Sequence, residues 1–158
     1  MARSRDFRKI REEGKWKKAV QAYLASISFA DEQVGRVLDA ISESPFRENT
    51  IVVFWSDHGW HLGTKKHWHK QTLWEECTQI PFVIDIPWSD QSPFKCDKPV
   101  DMVNVFPTLV SLCNLPPKND LDGHDMSPLL QQVQPEWDYP ALTEIKTGNM
   151  SVRSENWH

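Results

Sequence analysis

Between residues 15 and 44 the apolar side chains Tyr23, Ile27, Ala30, Val34, Val37, Leu38 and Ile41 recur at steps of three and four. That spacing lines one face of a helix and predicts a single long amphipathic helix, which needs an apolar surface to lie on. The breaker ESPFREN, with Pro45 and Asn49, closes it. TIVVFWSD follows at once, β-branched and aromatic with no polar alternation, the pattern of a buried strand. Further along, TLWEECTQI is short and helix-compatible, and PFVIDIPW is a second apolar strand bounded by prolines. VDMVNVFPTLVSLCNL has helical spacing through Val103, Phe106, Val110 and Cys113. The turn-rich NLPPKNDLDGHDMSPLL ends in a short helix, and PALTEI and MSVRSENWH read as two short closing strands. Alternating helices and strands predict an α/β fold with a mostly parallel sheet flanked by helices. Two or three strong strands make a thin sheet, so residues 1–158 are expected to be part of a larger unit.

A chain of 158 residues with a formal charge of -4 is long enough to bury a core and carries no basic stripe. Its one basic cluster, MARSRDFRKIREEGKWKK, is interrupted by acids and reads as a solvated helix face, so no nucleic-acid partner is expected. Cys77, Cys96 and Cys113 are odd in number and show no C-x-x-C spacing, which argues against a disulfide framework or a zinc knuckle. No apolar run approaches the ~18 residues of a membrane span.

The chemistry concentrates in FWSDHGWHLGTKKHWHKQTLWEE, residues 54–76, which holds four of the six histidines, four tryptophans and three lysines. Ligands of open α/β sheets bind at the carboxyl ends of strands, and Asp57 and His58 sit there. A carboxylate beside an imidazole is half of a divalent-metal shell, provided that the turn at Gly59 lets both side chains converge. In the plainer reading, Asp57 caps a turn and His58 is an ordinary polar residue. Lys70 follows, between Trp68 and Trp74, as a point charge suited to a phosphate or sulfate oxygen. His61, His67 and His69 are candidate hydrogen-bond or proton donors, each equally at home as a structural histidine.

SDHGWHLG followed by HWHKQTLWEECTQIPFVI resembles the second metal-and-sulfate motif of the type I sulfatases of the alkaline phosphatase superfamily, in the iduronate-2-sulfatase-like branch. AYLASISFADEQVGRVLDAI resembles the helix before that motif, and VNVFPTLVSLCNLPP, LDGHDMSPLL and SVRSENW resemble the segments after it, in the same order. The resemblance implies an alkaline-phosphatase-like sheet and the second half of a sulfatase catalytic domain over residues 1–158. It implies a single divalent cation, calcium in this family, held by Asp57 and His58. It makes Lys70 the catalytic contact to the sulfate group of a sulfated sugar or polysaccharide, with His67 and His61 as further substrate contacts. Calcium follows from the resemblance alone, since that ion favours all-oxygen shells.

The family's nucleophile is a formylglycine made within a Cys-x-Pro-x-Arg-type motif, and CTQIP, CDKPV and CNLPP do not match it. Its paired aspartates are absent as well. The resemblance therefore implies that these parts lie N-terminal to the residues here, that a C-terminal subdomain follows, and that this chain alone does not catalyse. Relatives are exported to the periplasm, the lysosome or the cell exterior. Thr64 stands where relatives often have an acid, Asn104 where Asp is frequent, and Met150 where His is common, which leaves sugar specificity open. A phosphodiesterase or phosphonate hydrolase of the same superfamily and a non-catalytic carbohydrate-binding module, with Trp60, Trp68 and Trp74 as platforms, are the alternatives.

Overall fold

The computed structural model describes residues 4–90, 92–131 and 136–157, and it divides into two compact units, Met1–Ser89 and Asp90–His158. The first three residues of the basic N-terminal run and His158 of the expected last strand lie outside the described residues.

In the first unit, helix α1 spans Arg5–Glu12 and helix α2 spans Trp16–Ser42. Ser4 caps α1, its hydroxyl oxygen accepting the Phe7 N–H, and Asp6 in the first turn with Lys9 and Arg11 in the last match the helix dipole. As the alternating charges predict, α1 buries only Phe7. Helix α2 follows the predicted stripe and stops before Pro45, whose ring disfavours helical geometry in the preceding residue. Its first residue, Trp16, meets Phe7 and Trp68 edge-on, with ring centroids 5.9 and 5.3 Å away. Phe7 and Trp68 are buried in this cluster, and Trp16 is half-buried between them.

Strand β1, Val52–Trp55, pairs with β4, Phe82–Asp85, in the register Val52↔Asp85 to Trp55↔Phe82. The pair is antiparallel, in an α/β fold whose sheet is expected to be mostly parallel. A parallel return needs a crossover of a dozen or more residues that carries the chain back to the starting end. The connection here instead leaves and re-enters the same end of the pair. It consists of a small hairpin, β2 (His61–Leu62) with β3 (Trp68–His69), and the single-turn helix α3, Glu75–Thr78. That detour places residues 56–81 at the carboxyl end of β1. The expected burial of β1 does not hold across its length, because Phe54 and Trp55 are exposed. Helix α2 likewise has no buried residue, and Leu24, Ile27, Phe29, Val37 and Leu38 face solvent.

In the second unit a 3-10 turn, Met102–Asn104, runs into helix α4, Val105–Leu112. The segment around Gly123 docks on that junction: the buried Asn104 side-chain oxygen accepts the His124 N–H at 2.8 Å. Thr108 Oγ1 donates to the Asn104 carbonyl at 2.6 Å and accepts from the Met126 N–H at 2.9 Å. A methyl group on Gly123 would overlap the Val103 carbonyl oxygen, so only glycine fits. Asp carries the same acceptor oxygen as Asn, so the departure from the family at position 104 keeps this bond. The short helix expected at SPLL is a 3-10 turn, Ser127–Leu130, which buries Leu129 beside Met126. The two closing strands form the antiparallel hairpin β5, Ala141–Lys146, and β6, Asn149–Arg153, turning through Gly148 at φ 83°.

Candidate active-site loop

The loop after β1 takes its shape from a close backbone contact. Gly59 N–H donates to the Cys77 carbonyl at 2.8 Å, and a Cβ at Gly59 would collide with the Glu76 carbonyl oxygen. Glycine is required for space and not for an unusual dihedral, since its φ is not among the positive values. The first turn of α3 therefore presses the Asp57-His58-Gly59 segment into position, and Cys77 itself is buried, whereas Cys96 is half-buried and Cys113 exposed.

Asp57, His58 and Lys70 come together. Asp57 Oδ2 lies 3.3 Å from His58 Nε2, and Lys70 Nζ lies 2.6 Å from the same nitrogen. His58 Nδ1 is 2.9 Å from the Gly59 carbonyl, which can only accept, so Nδ1 carries the proton and Nε2 keeps its lone pair. That lone pair accepts from the Lys70 ammonium. Two acceptors, a carboxylate oxygen and an imidazole nitrogen, thus face one point, and a positive charge sits against them. Asp57 is 79 % exposed, so its carboxylate is open to further ligands.

His61 and His67 take other places. His61, expected at the substrate, is 0 % exposed, and its Nε2 lies 2.7 Å from Thr72 Oγ1. It has no surface to offer a ligand. Burial holds its imidazole below the ordinary histidine range; Glu76 opposes that shift, and His67 and Lys65 add to it. His67 packs edge-on against His61 and Trp74, with centroids 4.9 and 6.2 Å away, and its Nε2 lies 3.1 Å from the Lys70 carbonyl. His69 stacks on Trp60 with centroids 4.7 Å apart and planes 19° apart.

The tryptophans act as anchors. Trp68 is buried against Trp16, its N–H donating to Ser4 Oγ, and Trp60 lies beside Tyr23 of α2 at 6.2 Å. Trp74 carries the Lys65 ammonium at 4.8 Å from its ring centroid. Among the described residues no group of three His, Cys, Asp or Glu side chains gathers in metal-binding geometry. Asp57 and His58 alone fall short of such a group.

Residues 2–115 match the family model described as Sulfatase. The chain belongs to the sulfatase family. It is similar to a sulfatase of Formosa agariphila, 38% identical over 144 residues that make up 91% of this chain and 28% of that one. It is also similar to an ulvan-active sulfatase of the same organism, 33% identical over 82% of this chain and 26% of the relative. Human iduronate 2-sulfatase is 32% identical over 65% of this chain and 23% of its own length. Among solved structures, one described as BT4656 in complex with its substrate D-glucosamine-2-N,6-O-disulfate matches with a TM-score of 0.71 at 24% identity. That match covers 89% of this chain and 31% of the other, and it supports the sulfatase α/β fold. The chain thus spans between a quarter and a third of the two Formosa agariphila relatives and of this solved structure.

Several residues that shape this sulfatase loop escape a reading of the sequence. Tyr23 is visible only as one member of the α2 stripe, Ser4 carries no motif, and Thr72 and Glu76 lie within the quoted motif without a role of their own. The contact between Gly59 and α3 has a trace in the Asp-His-Gly triplet, but its partner is backbone and leaves no sequence signal.

Proposed function

We propose that residues 57–70 form one wall of a site that hydrolyses sulfate esters of sugars or polysaccharides, within a protein longer than this chain. The observation that carries this reading is the meeting of Asp57, His58 and Lys70 around one imidazole nitrogen. Asp57 and His58 suit a divalent cation: one contributes a carboxylate oxygen, and the other a lone pair aimed by the bond from its far nitrogen to Gly59, the usual arrangement of a ligating histidine. With one nitrogen in the set, calcium requires that the remaining ligands be oxygens from outside these residues. When bound, the cation supplies positive charge against the sulfate oxygens.

This chain's own residues then have separate tasks. Asp57 and His58 hold the cation. Lys70 donates to a sulfate oxygen with its compact charge and stabilises the negative charge that develops there. With the Nε2 lone pair given to a cation, Lys70 would lose its partner on His58 and would be free to donate to the anion. Trp60, Trp68 and Trp74 hold the backbone around these groups. The nucleophile comes from another part of the protein, because none of Cys77, Cys96 and Cys113 lies in a Cys-x-Pro-x-Arg sequence. Relatives named for ulvan, iduronate 2-sulfate and N-acetylglucosamine 6-O-sulfate support a carbohydrate substrate. Export to the periplasm, lysosome or cell exterior belongs to the same proposal.

The test is turnover by the full-length protein on a panel of sulfated mono- and polysaccharides, with matched phosphate mono- and diesters beside them. Sulfate release that needs a divalent cation and exceeds phosphate-ester cleavage is the expected result. Preferential cleavage of phosphodiesters would point to the other hydrolases of the superfamily.

A further inference from the structure

Lys70 sits in a length of backbone that is hard to hold. His69 has φ 94° and Gln71 has φ 71°, both in the left-handed region that L side chains disfavour. Such a residue persists only where its surroundings fix it. Two histidines supply the fixing contacts. Lys70 N–H donates to His69 Nδ1 at 2.6 Å, and His67 Nε2 lies 3.1 Å from the Lys70 carbonyl. A carbonyl only accepts, so His67 carries its proton on Nε2. His69 accepts on Nδ1, so its proton is on Nε2 and its lone pair faces Lys70. One ring therefore donates to the lysine peptide and the other accepts from it.

Both rings are themselves held. His69 pairs with His61 across the β2–β3 hairpin and stacks on Trp60 at 4.7 Å, while His67 is wedged between His61 and Trp74. The Trp60 ring stands in turn 6.2 Å from His58, the residue whose Nε2 meets Lys70 Nζ. The lysine is thus fastened at its backbone by two rings, and one of them, His69, packs on the same tryptophan as its partner His58.

We propose that His67 and His69 are positioning residues that grip the Lys70 peptide from its two sides and aim the ammonium group at the anion. This rests on the reading of Lys70 as the sulfate contact, and it assigns the two histidines a task other than touching substrate or metal.

The experiment uses the full-length protein and inorganic sulfate as the probe, measured as an inhibitor of turnover, with calcium affinity and melting temperature measured alongside. His67→Phe and His69→Phe keep the rings and remove the bonds. Each is expected to weaken sulfate roughly tenfold, as befits one lost hydrogen bond in a shielded site, with calcium affinity changed less than twofold. His67→Gln and His69→Asn place an amide N–H or C=O where the ring nitrogen was, and they are expected to restore most of the loss. Where the Phe variants do not fold, His67→Asn and His69→Gln carry the same amide group at the wrong reach and are expected to lose sulfate as the Phe variants should.

In a Lys70→Met background the Phe changes are expected to weaken sulfate no further, since they act through the lysine. Undiminished sulfate affinity in the Phe variants, or equal behaviour of the matched and mismatched amides, overturns the grip. Full sulfate affinity in Lys70→Met alone instead overturns the underlying reading of the lysine.

Discussion

His61 shows how a residue suited to catalysis can be placed out of reach of it. Its ring is enclosed among His67, Trp74 and Thr72, and burial favours its neutral form. Because its folded pKa is depressed, the stability it contributes is complete above the ordinary histidine value near ~6.5 and is lost as pH falls through the lower folded value. Melting curves of the full-length protein between pH 5 and 8 should therefore show the wild type losing ground to the non-titrating His61→Phe variant on acidification; a pH-independent gap would contradict this. Gly59 makes a second claim at this scale. Since a methyl there meets the Glu76 carbonyl, Gly59→Ala should destabilise by about 1–3 kcal/mol, as overpacking does. It should also weaken cation binding, by moving Asp57 and His58 together. Unchanged unfolding and cation titrations would show that the loop has room to spare.

At the scale of elements, Trp16 joins α2 to the hairpin. Its ring lies on Gly63, where φ is 114° and a Cβ would overlap the indole, and it packs against Phe7 and Trp68. Trp16→Ala removes the centre of this cluster and should cost about 3 kcal/mol in chemical denaturation, at the low end for a large aromatic because the ring is partly exposed. A loss below 1 kcal/mol would mean that the hairpin is held by its own contacts. The elements themselves were largely legible: the three-and-four stripe yields α2, the β-branched runs yield β1 and β4, and the alternating closing segments yield β5 and β6. Direction was not legible, because the antiparallel return of β4 depends on where the site loop ends, which neither strand encodes. Within the site, Asp57, His58 and Lys70 could be picked out because strand end, charge and motif coincide there. His61 and His67 could not be separated from them, since the burial of His61 is decided by Thr72 and Trp74 and the turn of His67 toward the Lys70 carbonyl leaves no sequence signal.

At the scale of the molecule, the surface of the first unit is unusually apolar. Leu24, Ile27, Phe29, Val37 and Leu38 on α2, with Phe54, Trp55 and Val83 on the strand pair, are all exposed. The sequence pattern assigns Ile27, Val37 and Leu38 of α2 and the strand residues to an interior, and the chain spans about a quarter of its curated relatives. In the full-length protein these faces are predicted to be covered, so hydrogen exchange of α2 amides should be markedly slower there than in residues 1–158 alone. Equal exchange in the two would mean that the faces remain open. Under the proposed function, Asp57 and His58 would supply two ligands of a cation and the rest of the protein the others. The most direct test is a calcium titration of the full-length protein, carried out in parallel on Asp57→Ala and Lys70→Ala. Loss of binding in Asp57→Ala, with affinity kept or tightened in Lys70→Ala, is the predicted result. Wild-type affinity in Asp57→Ala would contradict the assignment of this loop as a cation site.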